Sequence, residues 1–216
     1  MTTERRKRRW PWIAGAIALV ILIPLGVLGL PILFHQDGGS ANQEQPAEQW
    51  PTSVTATGDD GRERELSVIS PTPGGEVDTS TLEVGERVVV SGTGYDAGQG
   101  IYVAICVIPD DPSVKPGPCL GGVPETDASG DPGASSGEIQ WAPSNWINDD
   151  WAWKLFGARP YDDVATGTFT AYLEVVDPAG DGFDCTVEAC AIYTRNDHTA
   201  LGDRVQDLYI PVGFGG

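Results

Sequence analysis

The chain of 216 residues is divided into short apolar runs, most of them followed closely by glycine or proline. Its 28 glycines and 17 prolines make up about a fifth of the chain and favour turns over long helices. Short apolar runs between turns predict β-strands, and seven of them in one domain predict an all-β antiparallel sandwich. The seven predicted strands are Leu66–Ser70, Arg87–Gly92, Ile101–Ile108, Gly137–Trp141, Thr168–Val176, Ala189–Thr194 and Gln206–Phe214.

The chain is strongly acidic except at its N-terminus. Its 31 acidic and 13 basic residues give a formal net charge of −18, which argues against a nucleic-acid partner, since phosphate requires a basic face. Five of the basic residues form one cluster, Arg5-Arg6-Lys7-Arg8-Arg9. Because positive charge stays on the cytoplasmic side of a membrane, residues 1–10 are predicted to be a basic cytoplasmic tail.

The segment after this cluster, residues 11–34, carries no charged residue. A helix needs roughly 20 residues to cross the hydrocarbon core, so the segment predicts one transmembrane helix. This places the protein in the cytoplasmic membrane as a single-pass protein, with the N-terminus cytoplasmic and the C-terminal domain extracytoplasmic. The alternative is a signal peptide, but the run is too long for one, and the weak cleavage site after Ala41 comes several residues late.

Residues 35–64 are polar, interrupted by proline and glycine, and show no sustained hydrophobic period. Such composition predicts a flexible linker between the membrane helix and the outer domain. The predicted domain then comprises residues 65–216.

All four cysteines, Cys106, Cys119, Cys185 and Cys190, lie in this predicted domain. An even number of cysteines outside the cytoplasm favours two disulfides, and the sequence alone allows three pairings. Nearest-neighbour pairing is favoured because each pair flanks a turn-rich loop. Neither spacing is that of a C-x2-C zinc site, so no metal is expected.

Two elements around these cysteines resemble the neocarzinostatin family. They are VVVSGTGYDAGQGIYVAIC, which ends at Cys106, and DCTVEACAIYTRND, which contains Cys185 and Cys190. The resemblance implies a seven-stranded immunoglobulin-like sandwich with the local bridges Cys106–Cys119 and Cys185–Cys190. Known members carry an enediyne chromophore in a cleft of the sandwich. A membrane anchor is not part of that pattern, and residues 143–163 have no counterpart in it.

This unmatched region is rich in aromatic residues and gives the candidate partner- or ligand-binding residues. Tryptophan and tyrosine are favoured at binding surfaces because they bury much apolar area with few rotatable bonds. The sequence leaves three roles open for them: the closure of the domain core, a protein interface, or a ligand pocket. The candidates are Trp141, Trp146, Trp151, Trp153, Phe156 and Tyr161.

Catalytic patterns are weak. Gly133 to Gly137 matches the Gly-x-Ser-x-Gly nucleophile pattern, but it lies in a low-complexity segment rather than between a strand and a helix. Of the two histidines, His35 follows the predicted membrane helix, and His198 suits either a polar turn or a titrating pair with a carboxylate. The acidic pairs of the chain lack EF-hand spacing. We therefore expect no catalytic residue, no cofactor and no enzyme activity.

The leading functional prediction is a non-catalytic membrane protein that presents an immunoglobulin-like interaction domain, as an accessory subunit of a membrane or cell-envelope complex. The alternative is a membrane-tethered binder or carrier of a small apolar ligand of the chromophore or haem type. An aromatic-lined pocket would distinguish the second from the first.

Overall fold

Residues 10–122, 139–180 and 182–215 are described by a computed structural model of the chain. The chain divides after Gln36 into two compact units. The described part of the first unit contains one long helix, α1 (Trp10–Leu33), and the second unit contains the strands.

Helix α1 corrects the predicted membrane topology. Among the described residues, no helix meets the length and apolarity that a membrane crossing requires. The predicted transmembrane helix over 11–34 is therefore contradicted, and with it the single-pass location in the cytoplasmic membrane.

The second unit is built from two four-stranded antiparallel sheets. The strands of the first sheet are β1 (Ser53–Thr57), β2 (Glu63–Ile69), β3 (Arg87–Thr93) and β6 (Phe169–Glu174), in the order β1-β2-β3-β6. Those of the second sheet are β4 (Ile101–Val107), β5 (Ser144–Ile147), β9 (Cys190–Asn196) and β10 (Tyr209–Val212), in the order β10-β9-β4-β5. A short hairpin, β7 (Ala179–Gly180) and β8 (Phe183–Asp184), and a one-turn helix α2 (Trp151–Lys154) complete the described elements.

These strands differ from the seven that were predicted. The described residues contain ten strands in three sheets, and six of the predicted runs overlap one of them. The run over 137–141 falls partly outside the described residues, and residues 139–141 form no strand. The fourth strand of the second sheet is instead β5, in the aromatic region. Strand β1 lies in the segment predicted as a linker, where Val54 is buried against the core.

The core lies between the two sheets and follows the period of two along each strand. Every second residue of β2, β3 and β6 is buried. In β4 six consecutive residues are buried, from Ile101 to Cys106, so both faces of this central strand are covered. Ile101, Val103 and Ile105 belong to the main core, whereas Ala104 and Cys106 belong to a second, smaller cluster on the outer face. The outer face of the second sheet must therefore be covered by other segments of the chain.

Both disulfide pairings implied by the family resemblance are confirmed. Cys106 is bonded to Cys119, and Cys185 is bonded to Cys190. The first bridge covers part of the outer face, because its loop folds back on β4. The Val107 amide donates to the Pro118 carbonyl over 3.0 Å, and the Leu120 amide donates to the Ile105 carbonyl over 2.8 Å.

Candidate ligand-binding site

The outer face of the second sheet carries a row of tyrosines. Strand register places Ala104 opposite Tyr193, and Tyr193 opposite Tyr209 on the edge strand β10. The rings of Tyr193 and Tyr209 are stacked, with centroids 5.1 Å apart and an interplanar angle of 27°. Burial raises the pKa of both hydroxyls, so both remain neutral at physiological pH. The pair forms a flat, apolar wall.

A second wall is the segment of residues 38–43, here called the strap. The Gln43 side chain forms two hydrogen bonds with the backbone of Tyr209 in β10, as a neighbouring strand would. Gln43 Nε2 donates to the Tyr209 carbonyl over 2.8 Å, and Gln43 Oε1 accepts from the Tyr209 backbone amide over 2.7 Å. Asp59 accepts hydrogen bonds from the Ser40 backbone amide, over 2.8 Å, and from the Asn42 side chain, over 2.7 Å. The strap is thus fixed to both sheets.

Between these walls lies the tyrosine cleft, with a volume of about 300 Å³. Its third wall is the first disulfide loop, residues 108–118, which contributes Val114 and three prolines. Its polar side chains include Arg204 and Asp207. The cleft is therefore aromatic and apolar on its walls and charged at one end, a composition typical of small-molecule sites.

The charged end holds a buried ion pair. Arg204 Nη1 lies 2.8 Å from Asp207 Oδ2, and the two side chains are 6% and 8% exposed. The other carboxylate oxygen, Asp207 Oδ1, is buried and has no hydrogen-bond partner among the described residues. Burial raises the pKa of Asp207 to about 7, although the positive charge of Arg204 acts to lower it. The cleft thus contains a carboxyl group that titrates near neutral pH.

Two further cations, Arg195 and Lys115, contact or belong to the disulfide loop and are not among the residues that line the cleft. Arg195, on β9, donates from Nη1 to the Pro116 carbonyl of the disulfide loop over 2.7 Å. Its Nε is buried without a hydrogen-bond partner in the described part of the chain. Burial is the largest cause that lowers the pKa of Lys115, and the positive charges of Arg195 and Arg204 lower it further.

Part of the predicted aromatic region forms a separate group on the same face, the aromatic cluster of Tyr102, Trp146, Trp153 and His198. His198 is central: its ring centroid lies 4.8 Å from that of Trp153 and 5.3 Å from that of Trp146, in T-shaped contacts. Its Nδ1 lies 2.9 Å from the Tyr102 hydroxyl. His198 lies in the turn that follows β9, in agreement with the polar-turn prediction, and its ring packs among the aromatic rings of this cluster.

The aromatic cluster is supported by a fully buried carboxylate. Asp197 Oδ2 accepts from Trp146 Nε1 over 2.8 Å and from Asn148 Nδ2 over 2.9 Å. Asp197 Oδ1 accepts from the Thr199 backbone amide and hydroxyl. A buried charge with four donors is well satisfied, so Asp197 fixes the orientation of the Trp146 indole.

The other predicted site residues lie outside the aromatic cluster, although the Phe156 ring contacts that of Trp153, with centroids 6.2 Å apart. Trp141 packs edge-on against Tyr172 of the first sheet, with ring centroids 5.3 Å apart. Tyr161 belongs to the main core and donates from its hydroxyl to a backbone carbonyl. Trp151 and Phe156 are 67% and 56% exposed on α2 and the turn after it. The structure thus divides the six aromatic residues among the core, the aromatic cluster and the surface.

The residues of the tyrosine cleft were not among the sequence candidates. Leu208, Ile210 and Val212 belong to the main core, and the same alternation places Tyr209 on the outer face. Tyr193 holds the same position in β9. The pairing of these tyrosines and the ion pair depends on the register of distant strands, which the sequence does not reveal. The predicted Gly133–Gly137 motif lies outside the described residues.

A larger cleft, of about 590 Å³, runs between residues 42–48 and the edge strand β1. Its described lining includes the acidic residues Glu44, Glu48 and Glu63 but no aromatic or basic side chain. Since specific recognition of a small molecule needs apolar walls with a few convergent polar groups, the smaller tyrosine cleft is the better candidate.

No protein-family model matches the chain, and no curated protein sequence matches it. Among solved structures, the chain is similar to macromomycin, with a TM-score of 0.36 and 18% sequence identity. The similarity covers 69% of this chain and 99% of that one.

Proposed function

We propose that this protein is a non-catalytic binder of a small, flat, largely apolar ligand, held in the tyrosine cleft. The observation that carries the proposal is the cleft itself: stacked Tyr193 and Tyr209 on one side, and a buried carboxylate oxygen of Asp207 without a partner among the described residues. Aromatic walls supply apolar contact area, and a single unsatisfied polar group supplies orientation.

The size of the cleft restricts the ligand. Its volume of about 300 Å³ is at the lower end of the range for small-molecule pockets. The flat face of the stacked tyrosines favours offset stacking with a planar ring system. A ligand of two or three aromatic rings fits these conditions, whereas a long lipid or a folded peptide does not.

The walls of the cleft are held before any ligand arrives. The strap is hydrogen-bonded to Tyr209 and Asp59, and the disulfide loop is closed by Cys106 and Cys119. Fixed walls reduce the loss of conformational entropy on binding, so a small ligand reaches useful affinity with limited contact area.

Fluorescence titration with phenylnaphthylamine, a neutral aromatic probe, tests the proposal. We expect saturable binding at one site per chain. Tyr209→Ala removes one of the two stacked rings and should weaken binding by roughly five- to tenfold, the equivalent of one aromatic contact. The matched control is Tyr172→Ala, which removes a half-buried tyrosine from the outer face of the other sheet and should leave binding unchanged. Equal effects of both substitutions would contradict a site at the tyrosine cleft.

A second candidate function, protein–protein interaction, is favoured by a different observation. Trp151, Leu155 and Phe156 are 67%, 73% and 56% exposed, on α2 and the turn after it. Exposed apolar side chains grouped in this way are typical of interaction surfaces. Under this function, Trp151→Ala should release a stable partner that co-purifies with the wild type, while phenylnaphthylamine binding stays the same. Loss of probe binding in Trp151→Ala would instead place the ligand on α2.

A further inference from the structure

The outer edge of strand β1 presents unpaired backbone groups. In the described part of the chain, β1 is an end strand of the first sheet, with β2 as its one hydrogen-bonded neighbour. The Val68 amide of β2 donates to the Thr52 carbonyl over 2.9 Å, which fixes the direction in which each residue of β1 is bonded. Because this direction alternates along an antiparallel strand, the amides and carbonyls of Ser53 and Thr55 point away from β2. No backbone hydrogen bond to another described segment satisfies these groups.

This edge also lacks the features that usually keep other strands away. End strands are commonly protected by lysine, by proline or by a bulge. Residues 53–57 contain neither lysine nor proline, and they pair with β2 at consecutive positions without a bulge. Ser53 and Thr55 are exposed, whereas Val54 between them is buried in the core. Strand β1 is therefore able to accept a further strand.

The cleft of about 590 Å³ lies along this open edge. One of its walls is β1, and the other is formed by residues 42–48. Asn42 Nδ2 donates to the Thr57 carbonyl over 3.4 Å and so joins the two walls at one end of the strand. A recessed edge of this kind admits a single extended chain, since the sheet of a second protein would meet residues 44–48 first. With its five residues, β1 gives such a chain about 17 Å of pairing length.

We propose that this cleft binds an extended basic peptide of a partner protein, which pairs with β1 as an additional antiparallel strand. The peptide carries lysine or arginine at every second position, with apolar residues between them. Antiparallel pairing is the more stable arrangement per residue, and the whole first sheet already has it. In strand addition, backbone hydrogen bonds supply affinity and alternate side chains supply specificity. This inference goes beyond the small-ligand function proposed above and uses a different cleft.

Acidic side chains around the cleft determine the basic positions of the peptide. Glu44, Glu48 and Glu63 are exposed lining residues, and the described lining includes no basic side chain. Glu65 extends the acidic surface on the same face of β2 as Glu63, and its Oε1 accepts from the Ser53 hydroxyl over 3.3 Å. Opposite charges on neighbouring strands attract, so lysine or arginine is favoured on this outer face of the added strand.

The two arginines next to Glu63 in the sequence do not cancel this acidic charge. Arg62 lies 3.8 Å from a carboxylate oxygen of Asp60 and 3.8 Å from one of Asp96. Arg64 is fully buried and also pairs with Asp60. These two cations and two carboxylates balance one another, so the charge of the lining glutamates remains for the peptide.

The alternate positions of the peptide meet a different surface. Val54 is buried in the main core, Ala56 packs against that core, and both residues line the cleft. A side chain on this inner face of the added strand leaves water and contacts apolar groups. Valine, isoleucine or leucine is therefore favoured there.

Fluorescence anisotropy with labelled seven-residue peptides tests the proposal on the full-length oxidised protein. The probe peptide alternates lysine and valine, and it begins and ends with lysine. We expect saturable binding of one peptide per chain, and at least about tenfold weaker binding of the same peptide with glutamate in place of lysine. Equal affinity for the two peptides would overturn the basic class of the partner. Failure of the lysine peptide to bind would overturn the whole inference, while phenylnaphthylamine binding in the tyrosine cleft would be unaffected.

Methylation of the peptide backbone separates strand pairing from charge attraction and needs no change to the protein. In antiparallel register with β1, the lysine amides of the probe face Ser53 and Thr55, and the valine amides face away. N-methylation of two lysine amides should weaken binding at least about tenfold, whereas N-methylation of two valine amides should change it by less than about threefold. Equal effects of the two modifications would overturn strand addition.

Two proline variants locate the peptide on the protein. Thr55→Pro removes one outward amide and should weaken binding of the lysine peptide by roughly five- to tenfold. The matched control is Thr170→Pro, because the strand register places the Thr170 amide at the outer edge of β6, at the opposite end of the same sheet. This control should keep the affinity within about twofold. Equal losses in both variants would overturn β1 as the binding edge, as would a wild-type dimer in sedimentation that Thr55→Pro abolishes, since a second copy would then occupy the edge.

A charge variant gives a second test that leaves the backbone unchanged, in case Thr55→Pro lowers the melting temperature. Glu63→Gln should weaken binding of the lysine peptide by roughly two- to fivefold, the equivalent of one surface ion pair. Glu76→Gln, at an exposed position outside the described lining of the cleft, is the matched control and should have no effect. An equal loss in both variants would show that the peptide responds only to the net charge of the protein and would overturn the specific role of the cleft.

Discussion

Substitution of Asp197 by alanine should destabilise the domain strongly, because this carboxylate is fully buried and accepts four hydrogen bonds. The donors are Trp146 Nε1 at 2.8 Å, Asn148 Nδ2 at 2.9 Å, and the Thr199 amide and hydroxyl at 2.8 and 2.6 Å. Asp197→Ala removes all four bonds and leaves the buried Asn148 amide without this acceptor.

The magnitude follows from two opposing contributions. Each hydrogen bond to a charged group contributes about 1.5–3 kcal/mol, and a buried donor without an acceptor costs about 1–3 kcal/mol. Removal of the charge also relieves the desolvation cost of a buried carboxylate, which amounts to several kcal/mol. We therefore expect a net loss of about 3–5 kcal/mol in the free energy of unfolding, or a decrease of roughly 6–20 °C in melting temperature for a domain of this size.

Urea denaturation followed by tryptophan fluorescence measures this loss. The matched control is Asp149→Ala: Asp149 forms a half-exposed ion pair with Lys154, with Oδ1 3.0 Å from Nζ, and its loss should cost less than about 1 kcal/mol. A loss below about 1 kcal/mol in Asp197→Ala would refute the structural role of this carboxylate.

Three other predictions concern stability. Trp146→Ala should lower the free energy of unfolding by about 3 kcal/mol, because the Trp146 ring packs in the aromatic cluster. Trp151 is 67% exposed, so Trp151→Ala should change the free energy of unfolding by less than about 0.5 kcal/mol in the same urea assay. Replacing both Cys106 and Cys119 by alanine opens a loop with a sequence separation of 13 and should cost about 3 kcal/mol, measured by calorimetry; an unchanged melting temperature would show that the bridge is dispensable. Asp207 has a folded-state pKa of about 7, above its unfolded value of about 3.9, so its contribution to stability decreases as the pH rises from about 4 to about 7. The stability of the wild type relative to Asp207→Asn should therefore fall by about 2–4 kcal/mol over that range, and a constant difference would contradict the raised pKa.

The strand-rich domain could be predicted from the sequence because its signals are local. Period-two alternation and glycine-containing turns give six of the strands, and the resemblance around Cys106 and Cys185 gives both disulfides. Strand β5 was missed because residues 144–147 lie in the aromatic region, where tryptophans conceal the alternation. Strand β1 was missed because its five residues, Ser53–Thr57, contain only two apolar side chains.

The candidate site was less predictable because it depends on contacts between distant residues. The strap meets β10 through Gln43 and Tyr209, which lie 166 residues apart. The composition of residues 38–43 resembles that of a linker, and only hydrogen bonds to Asp59 and Tyr209 make this segment a wall. Burial of the Arg204–Asp207 pair is likewise invisible in the sequence, where short-range charge pairs are usually solvent-exposed.

The most direct test of ligand binding in the tyrosine cleft is a backbone-amide NMR titration with phenylnaphthylamine. Binding in the cleft predicts chemical-shift changes that concentrate at Val114, Asp207 and Tyr209 and in the strap, with saturation at one probe per chain. Changes confined to residues 151–156, or an absence of changes at saturating probe, would contradict ligand binding in the tyrosine cleft.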